Sequence, residues 1–99
     1  MAIRNVRIDY TIREGVDLEA VKREIRAFVA GIQAHDPAHR YTSYQHADAP
    51  RRFTHVGALT ERVADLQAQP FFGAFTAFIK ERAEEGPVVT ALGEVASTR

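Results

Sequence analysis

The chain has no cysteine, which removes disulfide frameworks and thiolate chemistry and fits a cytoplasmic setting. It also has no net charge: thirteen Lys and Arg balance thirteen Asp and Glu. The basic footprint of a nucleic-acid binder is therefore missing. No stretch approaches the ~20 apolar residues of a membrane span. Met1-Ala2-Ile3-Arg4-Asn5 leads straight into an alternating pattern, without the apolar segment of a secretory signal. With 99 residues there is room for one domain, 1–99, and one core of modest stability. A cytoplasmic domain with no nucleic-acid or membrane partner is expected.

What the chain does hold is phenylalanine in one place. Four of its six fall within Pro70-Phe71-Phe72-Gly73-Ala74-Phe75-Thr76-Ala77-Phe78-Ile79. Phe71, Phe75 and Phe78 recur at i, i+4, i+7, and Phe72, Phe75 and Ile79 at i, i+3, i+7. Both sets share one broad helix face. Such a face is either a core with bulky anchors, the ordinary outcome, or the wall of a roomy apolar cavity.

Val6, Ile8, Tyr10 and Ile12 alternate with Arg7, Asp9, Thr11 and Arg13, which marks a strand ended by Gly15. Asp17 is placed to cap a helix with an apolar stripe of Leu18, Val21, Ile25, Phe28, Val29 and Ile32. That helix is expected to end near Ala34, because the residue before Pro37 avoids helical backbone. Period two returns over residues 39 to 46, with Tyr41 and Ser43 facing one way and Arg40, Thr42, Tyr44 and His46 the other. After the turn Ala47-Asp48-Ala49-Pro50, residues 52 to 59 form the return strand, with Phe53, His55, Gly57 and Leu59 on one face. Thr60 is a candidate cap for a helical segment containing Val63 and Leu66, and Pro70 either kinks it or opens a new helix. The phenylalanine helix is expected to run through Glu85 and stop at Gly86-Pro87. A last strand over residues 88 to 95 follows.

The order β-α-β-β-α-β is the ferredoxin-like α+β plan. Two helices cover only one face of a four-stranded sheet, and both sides of the last strand are rich in valine, alanine and leucine. An edge of that kind invites pairing. A homodimer, with sheet faces or last strands covering one another, is expected.

No HExxH, glycine-rich phosphate loop or GxSxG elbow is present, and Gly31, inside a helix, suits close packing. His35 and His39 are expected to be exposed near the end of the first helix, and His46 lies at the hairpin end. His55 shares a strand face with Phe53 and Leu59. If that face is covered, its imidazole must bond to Ser43, Tyr41 or Tyr44. A satisfied structural histidine is the ordinary reading, and proton transfer the sharper one. Zinc needs three or four convergent ligands, which scattered histidines do not offer. Arg7 and Asp9 suit a cross-strand charge ladder; alternatively, Arg7 or Arg40 recognises an anionic or phenolate oxygen.

The run from Leu66 through Gln69-Pro70-Phe71-Phe72-Gly73-Ala74-Phe75 to Glu85-Gly86-Pro87-Val88-Val89 resembles the second helix and last strand of the antibiotic biosynthesis monooxygenase family, which includes quinol monooxygenases. The resemblance implies a dimeric α+β barrel. For many members it implies oxygenation of aromatic polyketides or quinols without metal, flavin or haem, so no cofactor is expected. Some relatives degrade haem, and others have no known activity. The likeness covers nearly the whole chain in element order, and its residue-level signal lies in residues 53 to 89. There are departures. Where the family carries glutamate and, two residues on, tryptophan, this chain has Gly57 and Leu59. Where it often carries histidines near the phenylalanine helix, this chain has Leu66 and Phe71, and tryptophan is absent throughout. Asn5 lies close to a first-strand asparagine found in some members.

The first function this implies is a cofactor-independent monooxygenase acting on a small phenolic, quinol or polyketide-like aromatic substrate. His55 would be the base, Tyr44 or Tyr41 its orienter, and Arg40 or Arg7 the phenolate stabiliser. Phe28, Phe71, Phe72 and Phe75 would form the walls, with Asn5, Arg7 and Tyr41 as further substrate contacts. The departures favour a second class: a non-oxygenating aromatic-ligand binder, isomerase or cyclase. A third is a structural dimeric module whose rings are ordinary core.

Overall fold

The structure, a computed structural model, describes residues 3–98. Its elements are β1 (Arg4–Ile12), α1 (Leu18–His35), β2 (Arg40–Gln45), β3 (Arg52–Leu59), α2 (Val63–Gln67), α3 (Pro70–Arg82) and β4 (Ala83–Leu92). The strands form one antiparallel sheet in the order β2-β3-β1-β4, and the chain is ferredoxin-like.

Register follows from the alternation. Val6 pairs with Gly57, Ile8 with His55 and Tyr10 with Phe53, while Tyr41 pairs with Gly57 and Ser43 with His55. These residues share the face beneath the helices, and a slip of one position would turn all of them outward. Val6, Tyr10, Ile12, Phe53 and Leu59 are buried from the sheet side. Val21, Ile25, Phe28 and Ile32 of α1 meet them, joined by Leu66 of α2 and Ile79 of α3. The Asp17 carboxylate accepts from the Glu19 N–H at 3.0 Å and caps α1. Pro70 opens α3 at its first turn rather than kinking α2. The Thr60 hydroxyl accepts from the Arg62 N–H at 3.1 Å, just ahead of α2. Gly31 lets a ring lie against α1: a Cβ there would meet Phe71 Cε2 at 2.9 Å.

The end of α3 differs from the sequence expectation. The helix stops at Arg82, and Ala83 is already extended and paired with Ile12. Pairing with β1 thus takes the backbone of residues 83–85, which local helix propensity assigns to α3. Gly86 is not a helix terminator. It sits where the β1–β4 register shifts between Asp9 and Thr11, with φ +83°. A Cβ at this position would stand 2.6 Å from the Asp9 carbonyl oxygen, so both the dihedral and the close approach demand glycine. The strand ends at Leu92, short of Val95. Among the described residues no helix is long and apolar enough to cross a membrane.

Gly86→Ala should therefore lose roughly 1–3 kcal/mol, lowering the melting temperature by about 4–8 °C per kcal/mol for a domain of this size. Thermal unfolding followed by circular dichroism checks this, and an unchanged midpoint would contradict the strand-irregularity account.

Candidate active site

A cavity of about 260 Å³ lies between the sheet and the helices. Its sheet side includes Val6, Ile8 and Tyr10 of β1, Tyr41 of β2, and His55 and Leu59 of β3. Across from them stand Phe28 of α1, Leu66 of α2, and Phe72, Phe75 and Ile79 of α3. Phe28 is the hub of the rings. It stacks on Phe75 at a centroid distance of 4.1 Å, and touches Phe72 at 5.2 Å and Tyr41 at 5.5 Å. The phenylalanines of α3 are only half-buried, and Ile79 is the buried residue of that helix. Phe71, Phe72, Phe75 and Phe78 nonetheless pack against the buried clusters of the core. A wider open groove, about 470 Å³, runs between α1 and β2 but does not include His55.

The cavity is apolar except at a few points, and His55 is the deepest of them at 1% exposure. Its Nε2 lies 2.8 Å from the Tyr10 hydroxyl and its Nδ1 2.9 Å from the Tyr41 hydroxyl. Gly57 makes room for that arrangement, since a Cβ there would meet Tyr41 Cδ1 at 3.1 Å. Burial pushes the His55 pKa down to about 4 and pushes those of Tyr10 and Tyr41 up. At neutral pH all three are uncharged. A neutral imidazole has one N–H and one lone pair, so one tyrosine donates to His55 and the other accepts from it. The accepting tyrosine keeps its own proton to offer elsewhere, while the donating one presents only lone pairs. A change of tautomer exchanges these roles.

A second histidine is also buried, contrary to the exposed position expected for it. His39 Nδ1 accepts from the Thr60 N–H at 3.1 Å, and its Nε2 stands 3.6 Å from Asp36 Oδ2. Asp36 in turn takes two bonds from Arg62, at 2.8 and 3.3 Å. That guanidinium, helped by the Ala38 N–H, holds the Asp36 carboxyl down to about 2. The cluster ties the end of α1 to the turn before α2, and so fixes Leu66 against the cavity. Pro37 was expected to end α1 near Ala34, and the helix stops one residue later, at His35.

The residues expected from sequence separate into two groups. His55, Tyr41, Phe28, Phe72 and Phe75 are brought together at the cavity. Phe71 is not in the lining: it backs Phe28 from outside at 6.0 Å. Tyr44, Arg40, Arg7 and Asn5 lie on the opposite face of the sheet, because Tyr44 pairs with Thr54, Arg40 and Asn5 with Ala58, and Arg7 with Val56. Pleat alternation turns those positions away from His55. Arg7 instead binds Asp9 at 2.9 Å, and Asp9 accepts from the Thr54 hydroxyl at 2.7 Å. Tyr10 was not foreseen as a partner of His55. The signal was available, since its hydroxyl lies on an apolar strand face and needs a mate. Among the described residues no cluster of three or more His, Asp or Glu side chains is arranged to hold a metal ion.

An antiparallel sheet with its helices on one face is a fold that several solved proteins share. A candidate antibiotic biosynthesis monooxygenase from Nitrosomonas europaea matches with a TM-score of 0.81 at 18% identity, over 98% of this chain and 94% of that one. Rv0793 from Mycobacterium tuberculosis gives 0.78 at 20% identity, over 99% and 100%. SnoaB, a cofactor-independent oxygenase from Streptomyces nogalater, gives 0.77 at 13% identity, over 99% and 98%. No family model and no curated protein matches the sequence. The chain therefore shares the fold of these proteins, and what it does with that fold must be argued from its own residues.

The buried imidazole gives stability a defined pH dependence. The folded pKa of His55, about 4, lies below the unfolded value near 6.5. The unfolded chain thus binds more protons between these limits, so His55's contribution is complete above pH ~6.5 and is lost as pH falls toward 4. In urea titrations, His55 should add a slope of up to about 1.4 kcal/mol per pH unit across that window. In His55→Gln, whose amide can both donate and accept, that component should disappear; equal slopes in the two proteins would refute the assignment.

Proposed function

We propose that this chain is a cofactor-independent monooxygenase that oxidises a small phenolic or quinol substrate with molecular oxygen. The observation that carries the reading is the neutral Tyr10–His55–Tyr41 couple facing an apolar, ring-walled cavity. The fold shared with SnoaB, itself a cofactor-independent oxygenase, supports it. A substrate hydroxyl gives its proton to a tyrosine oxygen while that tyrosine passes its own to His55. The phenolate then transfers one electron to oxygen, and the two radicals join as a carbon–oxygen bond, leaving a peroxide anion on the ring carbon. The imidazolium returns its proton to the distal oxygen. Loss of the ring carbon's hydrogen as a proton, with departure of hydroxide, leaves a carbonyl and one water. A phenol and O₂ become a quinone and water, with no external reductant. An apolar site strengthens each electrostatic step.

Magnitudes narrow the substrate. With His55 near 4, an ordinary phenol at ~10 faces a transfer uphill by roughly six pKa units, or about 8 kcal/mol. A phenolate beside an imidazolium recovers part of this. Acidic hydroxyarenes are accordingly favoured. The cavity of about 260 Å³ suits one or two rings, given that a cavity of ~150 Å³ accepts benzene.

A second reading is a non-oxygenating aromatic-ligand binder, isomerase or cyclase. It rests on Gly57, Leu59, Leu66 and Phe71 standing where the family carries its glutamate, tryptophan and histidines. Oxygen uptake by the chelator-treated protein with acidic hydroxyarenes separates the two. We expect turnover that falls ~10²–10⁴-fold in His55→Gln, with the circular dichroism spectrum unchanged. Full activity in that variant would remove His55 from the mechanism, and tight aromatic binding without uptake would favour the second reading.

A homodimer closing an α+β barrel belongs to the same proposal. The sheet face away from the helices exposes Tyr44 at 56% and Val88 at 58%, beside Val56 and Leu92. Apolar residues so grouped favour burial against a like face. Light scattering should give twice the 11.1 kDa chain mass, and Val56→Glu with Val88→Glu should shift it to the monomer. A monomeric wild type would refute the dimer.

A further inference from the structure

Arg4 has so far been given no role. It begins β1 on the same face as Val6, Ile8 and Tyr10, and its side chain lines the cavity. No other charged side chain does so among the described residues, His55 being neutral. Arg7, Arg51, Arg62 and Arg82 each have an acidic partner within 4 Å, whereas Arg13, Arg23, Arg26, Arg40 and Arg52 form no ion pair with a described residue. Arg4 forms no ion pair with any described residue, and it is exposed at the rim. What sets Arg4 apart from the other arginines without an ion pair is its place in the lining of a largely apolar cavity.

The spacing says what would fit. Arg4 precedes Ile8, the cross-strand partner of His55, by four positions. At ~3.3 Å per residue, the two polar ends stand about 13 Å apart at the backbone, and the arginine side chain spans part of that gap. Between them on the sheet lies Val6, paired with Gly57, while Leu59 stands level with Arg4; Val6, Gly57 and Leu59 are all apolar. We propose that the cavity takes a hydroxyarene carrying a short carboxylate tail, its hydroxyl at the Tyr10–His55–Tyr41 couple and its carboxylate on Arg4. The planar guanidinium fork matches a carboxylate with two parallel hydrogen bonds. The inference rests on reading the cavity as a phenol site, but not on oxygen chemistry.

Binding without oxygen tests it. The full chain is titrated calorimetrically, under nitrogen at low salt, with 3-(4-hydroxyphenyl)propanoate and with the corresponding amide. The acid should bind about tenfold more tightly, a modest factor because the pair is partly solvated. That preference should shrink as salt rises, fall in Arg4→Lys and vanish in Arg4→Gln. Equal affinities for acid and amide, a preference that survives in Arg4→Gln, or binding of neither compound would each overturn the proposal. Tight acid binding with no oxygen uptake would leave it standing while the oxygenase reading fell. Uptake with neutral phenols and no preference for acid would do the reverse.

Discussion

Two phenolic hydroxyls held on one buried imidazole set the terms for the rest of this molecule. An imidazole taken out of water without partners costs free energy on the order of 1–3 kcal/mol for each unsatisfied group. His55 avoids that cost only because β1 and β2 flank β3 in a register that brings Tyr10 and Tyr41 to its two nitrogens. The couple therefore makes two demands on the sequence. The three strands must keep their alternation, and Gly57 must stay small so that the Tyr41 ring can lie across it. The hydrogen bonds and the register become one constraint: slipping a strand would put His55 on the open face and break both bonds.

Above that polar floor the phenylalanines act as walls. Phe28 of α1 stacks on Phe75 of α3 with Phe72 beside it, and its contact with Tyr41 reaches across to the sheet. Aromatic rings suit the task, since each covers a large apolar area with few rotatable bonds. The His39–Asp36–Arg62 cluster braces the same region from outside, holding α2 where Leu66 closes the cavity. Arg4 at the rim and His55 at the floor give the cavity a polar group at each end.

Most of the fold was legible in the sequence because each element carried its own period. The stripe on α1, the alternation in β1 and β3, and the cap at Asp17 are local signals, and local signals survive into the structure. The boundary between α3 and β4 was not local. Residues 83–85 have helical character by themselves and become strand through pairing with β1. His55 and Tyr41 could be found by asking which buried polar groups need partners. Alternation had already placed Tyr44 and Arg40 on the other side, and naming them beside His55 set that rule aside. Arg4 was equally visible, two residues before Val6 on the same face, but an apolar face does not advertise its first charged member.

The central claim is that His55 is a neutral, doubly hydrogen-bonded imidazole at physiological pH. Long-range ¹H–¹⁵N correlation spectra of the histidine rings, recorded from pH 7.5 down to 4, test it directly. The account predicts that the His55 nitrogens keep neutral-imidazole shifts and begin to move only near pH 4, where burial places the pKa. A His55 ring that titrates near the unperturbed value of ~6.5 would mean that it is solvated and charged in the working range, and the buried couple would have to be abandoned.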